Sequence, residues 1–125
     1  MNDTSKPYQL TFEDRNDYVY ARIHAPSIDR KSAVDYLREI AEHCKGVDAR
    51  QLLIERDIPV MLPDTDLFFT TNEFLALVGR LRIAFVNPHQ SIEKGMEFAI
   101  MIGTNRGANY RLFRTVPEAE RWLLA

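Results

Sequence analysis

The sequence is poor in cysteine and in long apolar runs, and both absences narrow its class. Cys44 is the only cysteine among 125 residues, which excludes an internal disulfide framework and suits a reducing compartment such as the cytoplasm. No apolar run approaches the ~20 residues that a membrane-spanning helix requires. The N-terminal stretch MNDTSKPYQL also has no apolar segment after its charges. We therefore expect a cytoplasmic protein with no membrane insertion.

An excess of either charge is also missing. The net charge is -2 and the isoelectric point is about 5.9, which gives no general attraction for nucleic acid or anionic lipid. Acidic residues outnumber basic ones over residues 1–79, and the reverse holds over residues 80–125, a weak indication of a polar partner surface. None of the glycine-rich phosphate or dinucleotide motifs occurs, and neither does G-x-S-x-G. We expect no cofactor and no nucleic-acid partner.

Histidine and cysteine do not form a recognisable reactive pattern. The residues His24, His43 and His89 have no second histidine or cysteine pair at the spacing of a zinc site. His43 and Cys44 are neighbours on a predicted helix and point in different directions, which argues against a Cys–His nucleophile pair. We interpret His43 as a surface residue and Cys44 as a core residue. Because no nucleophile, base and orienting group can be assembled, we predict that the protein is not an enzyme and has no metal site.

What the sequence does contain is an ordered series of strand and helix patterns. Residues 8–12 alternate in polarity and residues 18–23 are mostly β-branched or aromatic, so a hairpin is predicted. The period then becomes helical, with Ser32 and Asp35 resembling a capping box and Gly46 at the place of a left-handed C-cap.

The second half of the chain predicts parallel strands joined by helices. Residues 52–55 and 82–86 are continuous apolar runs, which are typical of parallel strands buried on both faces. Helices are predicted over residues 67–78 and 91–106, and a last strand over residues 110–114. The stop signals are Gly79 and Gly107; a capping box, Thr115 with Glu118, begins a terminal helix.

The predicted order is ββαβαβαβα. It describes an α/β fold with a mixed, mainly parallel five-stranded sheet and about four helices. A chain of this length, with no visible linker, repeat or low-complexity tract, predicts a single domain over residues 1–125.

The strands LLIE and RIAFV and the ending YRLFRTVPEAERWL resemble the STAS or SpoIIAA-like family, the fold of bacterial anti-sigma-factor antagonists. The resemblance covers nearly the whole chain, and its most specific part is the aromatic-rich strand followed by the capped helix. It implies a non-catalytic regulatory module that binds a protein partner. Some SpoIIAA-like proteins also resemble lipid-binding folds, which implies a second function: binding or sensing a small apolar ligand or lipid in a hydrophobic pocket beside the sheet.

The resemblance also implies where a phosphate would be accepted. Phosphorylated members of the family carry Asp-Ser-Ser-Gly at the start of the helix that follows the strand, and the corresponding residues here are Asp64, Thr65, Asp66 and Leu67. Asp64 fits, and Thr65 stands where the acceptor serine would be. Asp66 and Leu67 replace the second serine and the glycine, so the standard phosphoacceptor motif is absent.

A purely structural interpretation of the same segment is that it only begins a helix. Thr65 or Asp66 would then serve as the N-cap, whose removal costs about 1 kcal/mol. Thr70 with Glu73 forms a second capping-box pattern further along.

Apolar residues outside the predicted strands indicate a surface for recognition. The third helix has little polar face, and the loop of residues 57–66 carries an apolar cluster; methionine-rich surfaces of this kind adapt to partners or apolar ligands. Core packing or a homodimer contact is the alternative. The predicted partner or ligand surface consists of Asp57, Val60, Met61, Asp64, Asp66, Met96, Ile100 and Met101.

Overall fold

The computed structural model describes residues 6–125, and five strands of this range form one sheet in chain order. The strands are β1 (Gln9–Asp14), β2 (Val19–His24), β3 (Gln51–Asp57), β4 (Arg82–Val86) and β5 (Asn109–Phe113). Strand β1 pairs antiparallel with β2, and every later pairing is parallel. The predicted hairpin and the predicted parallel pairing of the two apolar strands are both confirmed.

Helices cover the two faces of this sheet unequally. They are α1 (Arg30–Gly46), α2 (Asp64–Val78), α3 (Glu93–Thr104) and α4 (Val116–Leu124), with one 3-10 turn, Gln90–Ile92, before α3. Helices α1, α2 and α3 enclose the larger apolar core on one face, whereas α4 packs over β3, β4 and β5 on the other. The predicted α/β fold and its element order are confirmed.

Alternation along the strands decides which side chains meet which helices. In β3, Ile54 and Arg56 face α1–α3, while Leu53 lies beneath α4. We call these the three-helix face and the α4 face. At the carboxyl ends of β2 and β3 the α4 face carries polar side chains, among them Arg22 and Asp57.

The start of α1 differs from the prediction. Asp29 is the N-cap, and its carboxylate accepts a hydrogen bond from the Ser32 N–H at 2.8 Å. The predicted Ser32–Asp35 capping box is therefore wrong, because a carboxylate three residues earlier already occupies the capping position and suits the positive helix end. Gly46 is the last helical residue, and the left-handed position is instead Asp48, at φ 55°.

The start of α2 also differs. The helix begins at Asp64, after Pro63, and no side chain caps it. The predictions that Thr65 or Asp66 caps the helix, or that it begins at Thr70, are therefore wrong. Proline presets a backbone angle compatible with a helix start, and the carboxylates of Asp64 and Asp66 in the first turn stabilise the positive end without a direct cap.

The other predicted boundaries are largely confirmed. Gly79 and Gly107 follow α2 and α3 with φ of 58° and 86°, values that favour glycine. Thr115 caps α4: its hydroxyl accepts from the Glu118 N–H and donates to the Glu118 carboxylate.

Candidate functional site

The outer surface of α2 is aromatic. Phe68 and Phe69 are 38% and 48% exposed, and their ring centroids lie 5.5 Å apart. Thr65 is exposed one turn earlier and shares this side of the helix, because residues three and four apart are neighbours on a helix surface. We call Phe68 and Phe69 the α2 outer face.

Basic side chains border the α2 outer face. The guanidinium of Arg30 lies 5.3 Å from the Phe69 ring centroid, and that of Arg106 lies 5.1 Å from the Phe68 ring centroid. Such cation–π contacts hold the rings in place at the surface. The result is an exposed aromatic patch with positive charge on two sides, a composition enriched in protein interfaces.

The predicted surface residues divide between this region and the interior. Around the start of α2, Val60 is 39% exposed, Asp64 is exposed, and half-buried Asp66 approaches Arg30 at 3.9 Å. Met101, on α3, is 48% exposed.

The remaining predicted residues lie elsewhere. Met61, Met96 and Ile100 line an internal cavity, and Met96 is only 2% exposed. Asp57 lies on the opposite face of the sheet, towards its carboxyl edge. Sequence reasoning missed the two phenylalanines, whose exposure depends on how α2 is rotated against the core.

This cavity, which is partly open to solvent, lies between the sheet and helices α1–α3 and has a volume of about 60 Å³. Most of its wall is apolar and includes Ile54, Leu62, Phe74 and Phe85.

Two glycines of α3 allow the cavity wall to pack closely. A Cβ at Gly95 would lie 2.7 Å from the Met61 Cγ, and one at Gly103 would lie 2.6 Å from the Tyr110 ring. A side chain at either position would clash with a residue of the cavity wall.

Five buried side chains with polar groups line the cavity: Tyr36, Arg56, Thr70, Thr71 and Tyr110. Arg56 is 5% exposed, and its guanidinium donates to the carbonyl oxygens of Ile58 at 3.0 Å and Val60 at 2.9 Å. The hydroxyls of Thr70 and Tyr110 are buried and have no hydrogen-bond partner. Burial raises the pKa of the Tyr110 hydroxyl far above its ordinary value, so the group stays protonated and able to donate.

On the α4 face, the carboxylate of Asp57 gathers three donors. His24 Nδ1 and His89 Nε2 each lie 2.7 Å from a different oxygen of Asp57, and Arg22 donates at 3.0 Å. The hydrogen bond from His89, followed by that from His24 and the charge of Arg22, holds the pKa of Asp57 below its usual range. Glu55 extends this cluster, with an oxygen 3.9 Å from Arg22.

These two histidines converge on Asp57, although their positions in the sequence form no recognisable pattern. His24 pairs with Asp57 in the β2–β3 register, and His89 follows β4, so all three groups meet at the carboxyl edge of neighbouring parallel strands. That edge is the usual place for ligands in α/β sheets, a signal that the sequence order contained. Over residues 6–125, no group of His, Cys, Asp and Glu side chains is arranged to hold a metal ion.

The sheet order, the parallel core strands and the position of α4 define the fold of the anti-sigma-factor antagonists, the STAS or SpoIIAA-like fold, as the sequence resemblance predicts. The crystal structure of an anti-sigma factor antagonist from Mycobacterium paratuberculosis is similar, with a TM-score of 0.68. It shares 12% sequence identity, and the match covers 99% of this chain and 100% of that chain. No protein-family model and no curated protein matches this sequence.

None of the helices between residues 6 and 125 combines the length and apolarity that a bilayer crossing requires.

Proposed function

We propose that the protein is a non-catalytic regulatory module of the STAS type, a single cytoplasmic domain of bacterial origin that binds a protein partner through the α2 outer face. The observation that carries this proposal is the exposure of two adjacent phenylalanines, Phe68 and Phe69, on a helix of this fold. Burial of two such rings against a partner would remove apolar area from water, and buried aromatic side chains dominate the energy of many interfaces.

The surroundings of the rings favour a partner with acidic groups. Arg30 and Arg106 already stack on the two rings, so an incoming carboxylate would meet a guanidinium held in a fixed position. Exposed Val60 adds apolar area beside the start of α2.

Phosphate transfer to Thr65 is not part of the proposed mechanism. The side chain is exposed and lies in the first turn of α2, where backbone N–H groups favour an anion. Asp64 and Asp66 flank it, however, and would repel a phosphate dianion. Thr65 remains the candidate acceptor in case the partner is a kinase.

A pull-down that compares surface variants tests this proposal. Tagged wild type, Phe68→Ser and Phe69→Ser would be incubated in native lysate, with Leu124→Ser as the matched control, since Leu124 is 51% exposed on α4. We expect each phenylalanine variant to lose a stoichiometric partner by about tenfold or more. Leu124→Ser and Thr65→Ala should retain it. Equal recovery by all variants with unchanged circular dichroism would contradict the proposal.

Intact-mass measurement after incubation with ATP and lysate tests the phosphate question separately. We expect no added phosphate on the wild-type chain. An added phosphate that disappears in Thr65→Ala would overturn this expectation and assign Thr65 as an acceptor.

The cavity favours a second function, the binding of a small apolar ligand. An apolar wall interrupted by a few buried polar groups is the usual composition of a ligand site.

A homodimer formed through the α2 outer face is a third arrangement. Light scattering would then give twice the monomer mass for the wild type and the monomer mass for Phe69→Ser.

A further inference from the structure

Three of the polar side chains that line the cavity, Arg56, Thr70 and Tyr110, share one chemical character, because each can donate hydrogen bonds. Arg56 carries a permanent positive charge, and the hydroxyls of Thr70 and Tyr110 can each donate one proton. The three side chains are 4–6% exposed. Their common complement is an anion with acceptor oxygens.

Arg56 lacks the partner that a buried guanidinium usually has. Its two hydrogen bonds go to the neutral carbonyl oxygens of Ile58 and Val60, and no carboxylate within residues 6–125 forms an ion pair with it. Buried charges are ordinarily paired, because an unpaired charge away from water is costly. A guanidinium also carries more N–H donors than these two bonds use.

The hydroxyls of Thr70 and Tyr110 give an independent indication. A threonine inside a helix usually bonds the carbonyl one turn back, yet the Thr70 hydroxyl has no partner. The Tyr110 hydroxyl, on β5 across the cavity wall, has none either. Buried polar groups without partners are rare in native proteins, and a bound molecule, water included, is one explanation for them.

The size and the wall of the cavity restrict what that molecule can be. Its volume of about 60 Å³ is less than half of the roughly 150 Å³ of an apolar cavity that accepts benzene. Apart from Thr71 and the hydroxyl of Tyr36, the rest of the wall is aliphatic and aromatic, so the part of the ligand away from its anionic end must be mainly apolar. Met61 and Met96 have flexible side chains that can move to admit another carbon.

We propose that this cavity binds a short-chain monocarboxylic acid of about two to four carbons. Arg56 pairs with its carboxylate, the Thr70 and Tyr110 hydroxyls donate to the same oxygens, and the alkyl end lies among the apolar wall residues. This proposal rests on the second function above, apolar ligand binding, and names its ligand class. It is independent of the partner surface on α2.

Methionine-methyl NMR on the full chain tests the proposal with propionate as the probe. Met61 and Met96 line the cavity, whereas Met101 is exposed and serves as an internal control. We expect the first two methyl signals to shift saturably with propionate while the Met101 signal does not. Propionamide, a neutral molecule of the same shape, should bind at least about tenfold more weakly, which is the effect of losing one charge-assisted pair.

Variants of the polar side chains test whether the cavity selects a carboxylate, which is a separate question from whether it binds any ligand. Arg56→Gln should weaken propionate binding by at least about tenfold. Arg22→Gln, which changes an arginine on the α4 face, should leave it unchanged. In case Arg56→Gln does not fold, Tyr110→Phe and Thr70→Val each remove one hydroxyl conservatively and should weaken binding several-fold.

Two outcomes would contradict the proposal, one for the carboxylate and one for any ligand. Equal affinity for propionate and propionamide, unaffected by Arg56→Gln, would overturn the carboxylate assignment and leave apolar ligand binding standing. No shift of Met61 or Met96 with either compound would mean that the cavity holds water only and would overturn both.

Discussion

The polar side chains on the two faces of the sheet differ in how fully their hydrogen-bonding groups are satisfied. On the α4 face, Asp57 is surrounded by donors, and partly exposed groups satisfy one another. On the three-helix face, Arg56, Thr70 and Tyr110 are buried more deeply, and two of the three have hydroxyls without partners. This contrast, polar groups satisfied where water is available and unsatisfied where it is not, is the basis of the proposed ligand site.

Neighbouring residues of one strand produce this contrast. Glu55 and Asp57 point to the α4 face and Arg56 points between them to the other, since side chains alternate along a strand. The strand therefore separates its two carboxylates from its guanidinium.

The largest expected effect compares two arginines, one on each face. Arg56→Met should lower the free energy of unfolding by about 1–3 kcal/mol, because it removes donors from two carbonyls, one of them on fully buried Ile58. Arg22→Met should cost only about 0–1 kcal/mol, since its side chain is 42% exposed. Urea denaturation measures both, and equal losses would remove the distinction between the faces.

Measuring the free energy of unfolding over a range of pH tests the hydrogen bonds of the α4 face. Asp57→Asn should cost about 1–2 kcal/mol near neutral pH, because charge-assisted hydrogen bonds from two histidines and Arg22 are lost or weakened. Since folding lowers the pKa of Asp57, its contribution is present above the unfolded pKa of about 3.9. It should disappear as the pH falls through the lower folded value. A difference between wild type and variant that grows below pH ~4 would contradict this.

The sequence was sufficient for the fold because strong periodic signals agreed with one another. The runs at β3 and β4 indicated parallel central strands, and Thr115 with Glu118 marked the last helix. The starts of α1 and α2 were less predictable, because several residues able to cap a helix lie close together and only backbone geometry selects Asp29 or leaves α2 uncapped.

The candidate sites were predicted only in part, since they depend on register and on side-chain direction. His24 and His89 are far apart in the chain and meet on Asp57 only through strand pairing. The apolar character of residues 57–66 was evident, but not that Met61 points inward while Val60 points outward. The burial of Arg56 follows from strand alternation, a signal that was present and not used.

Two tyrosines test most directly the claim that the buried hydroxyls of the cavity have no hydrogen-bond partner, because one of the two hydroxyls has such a partner and the other has none. The Tyr20 hydroxyl donates to the Glu55 carboxylate on the α4 face, whereas the buried hydroxyl of Tyr110, a residue that lines the cavity, has no partner. In urea denaturation of the ligand-free protein, Tyr20→Phe should lower the free energy of unfolding by about 1 kcal/mol, and Tyr110→Phe should raise it by about the same amount. A loss of stability in Tyr110→Phe as large as that in Tyr20→Phe would show that the buried hydroxyl already has a partner, and would contradict the account.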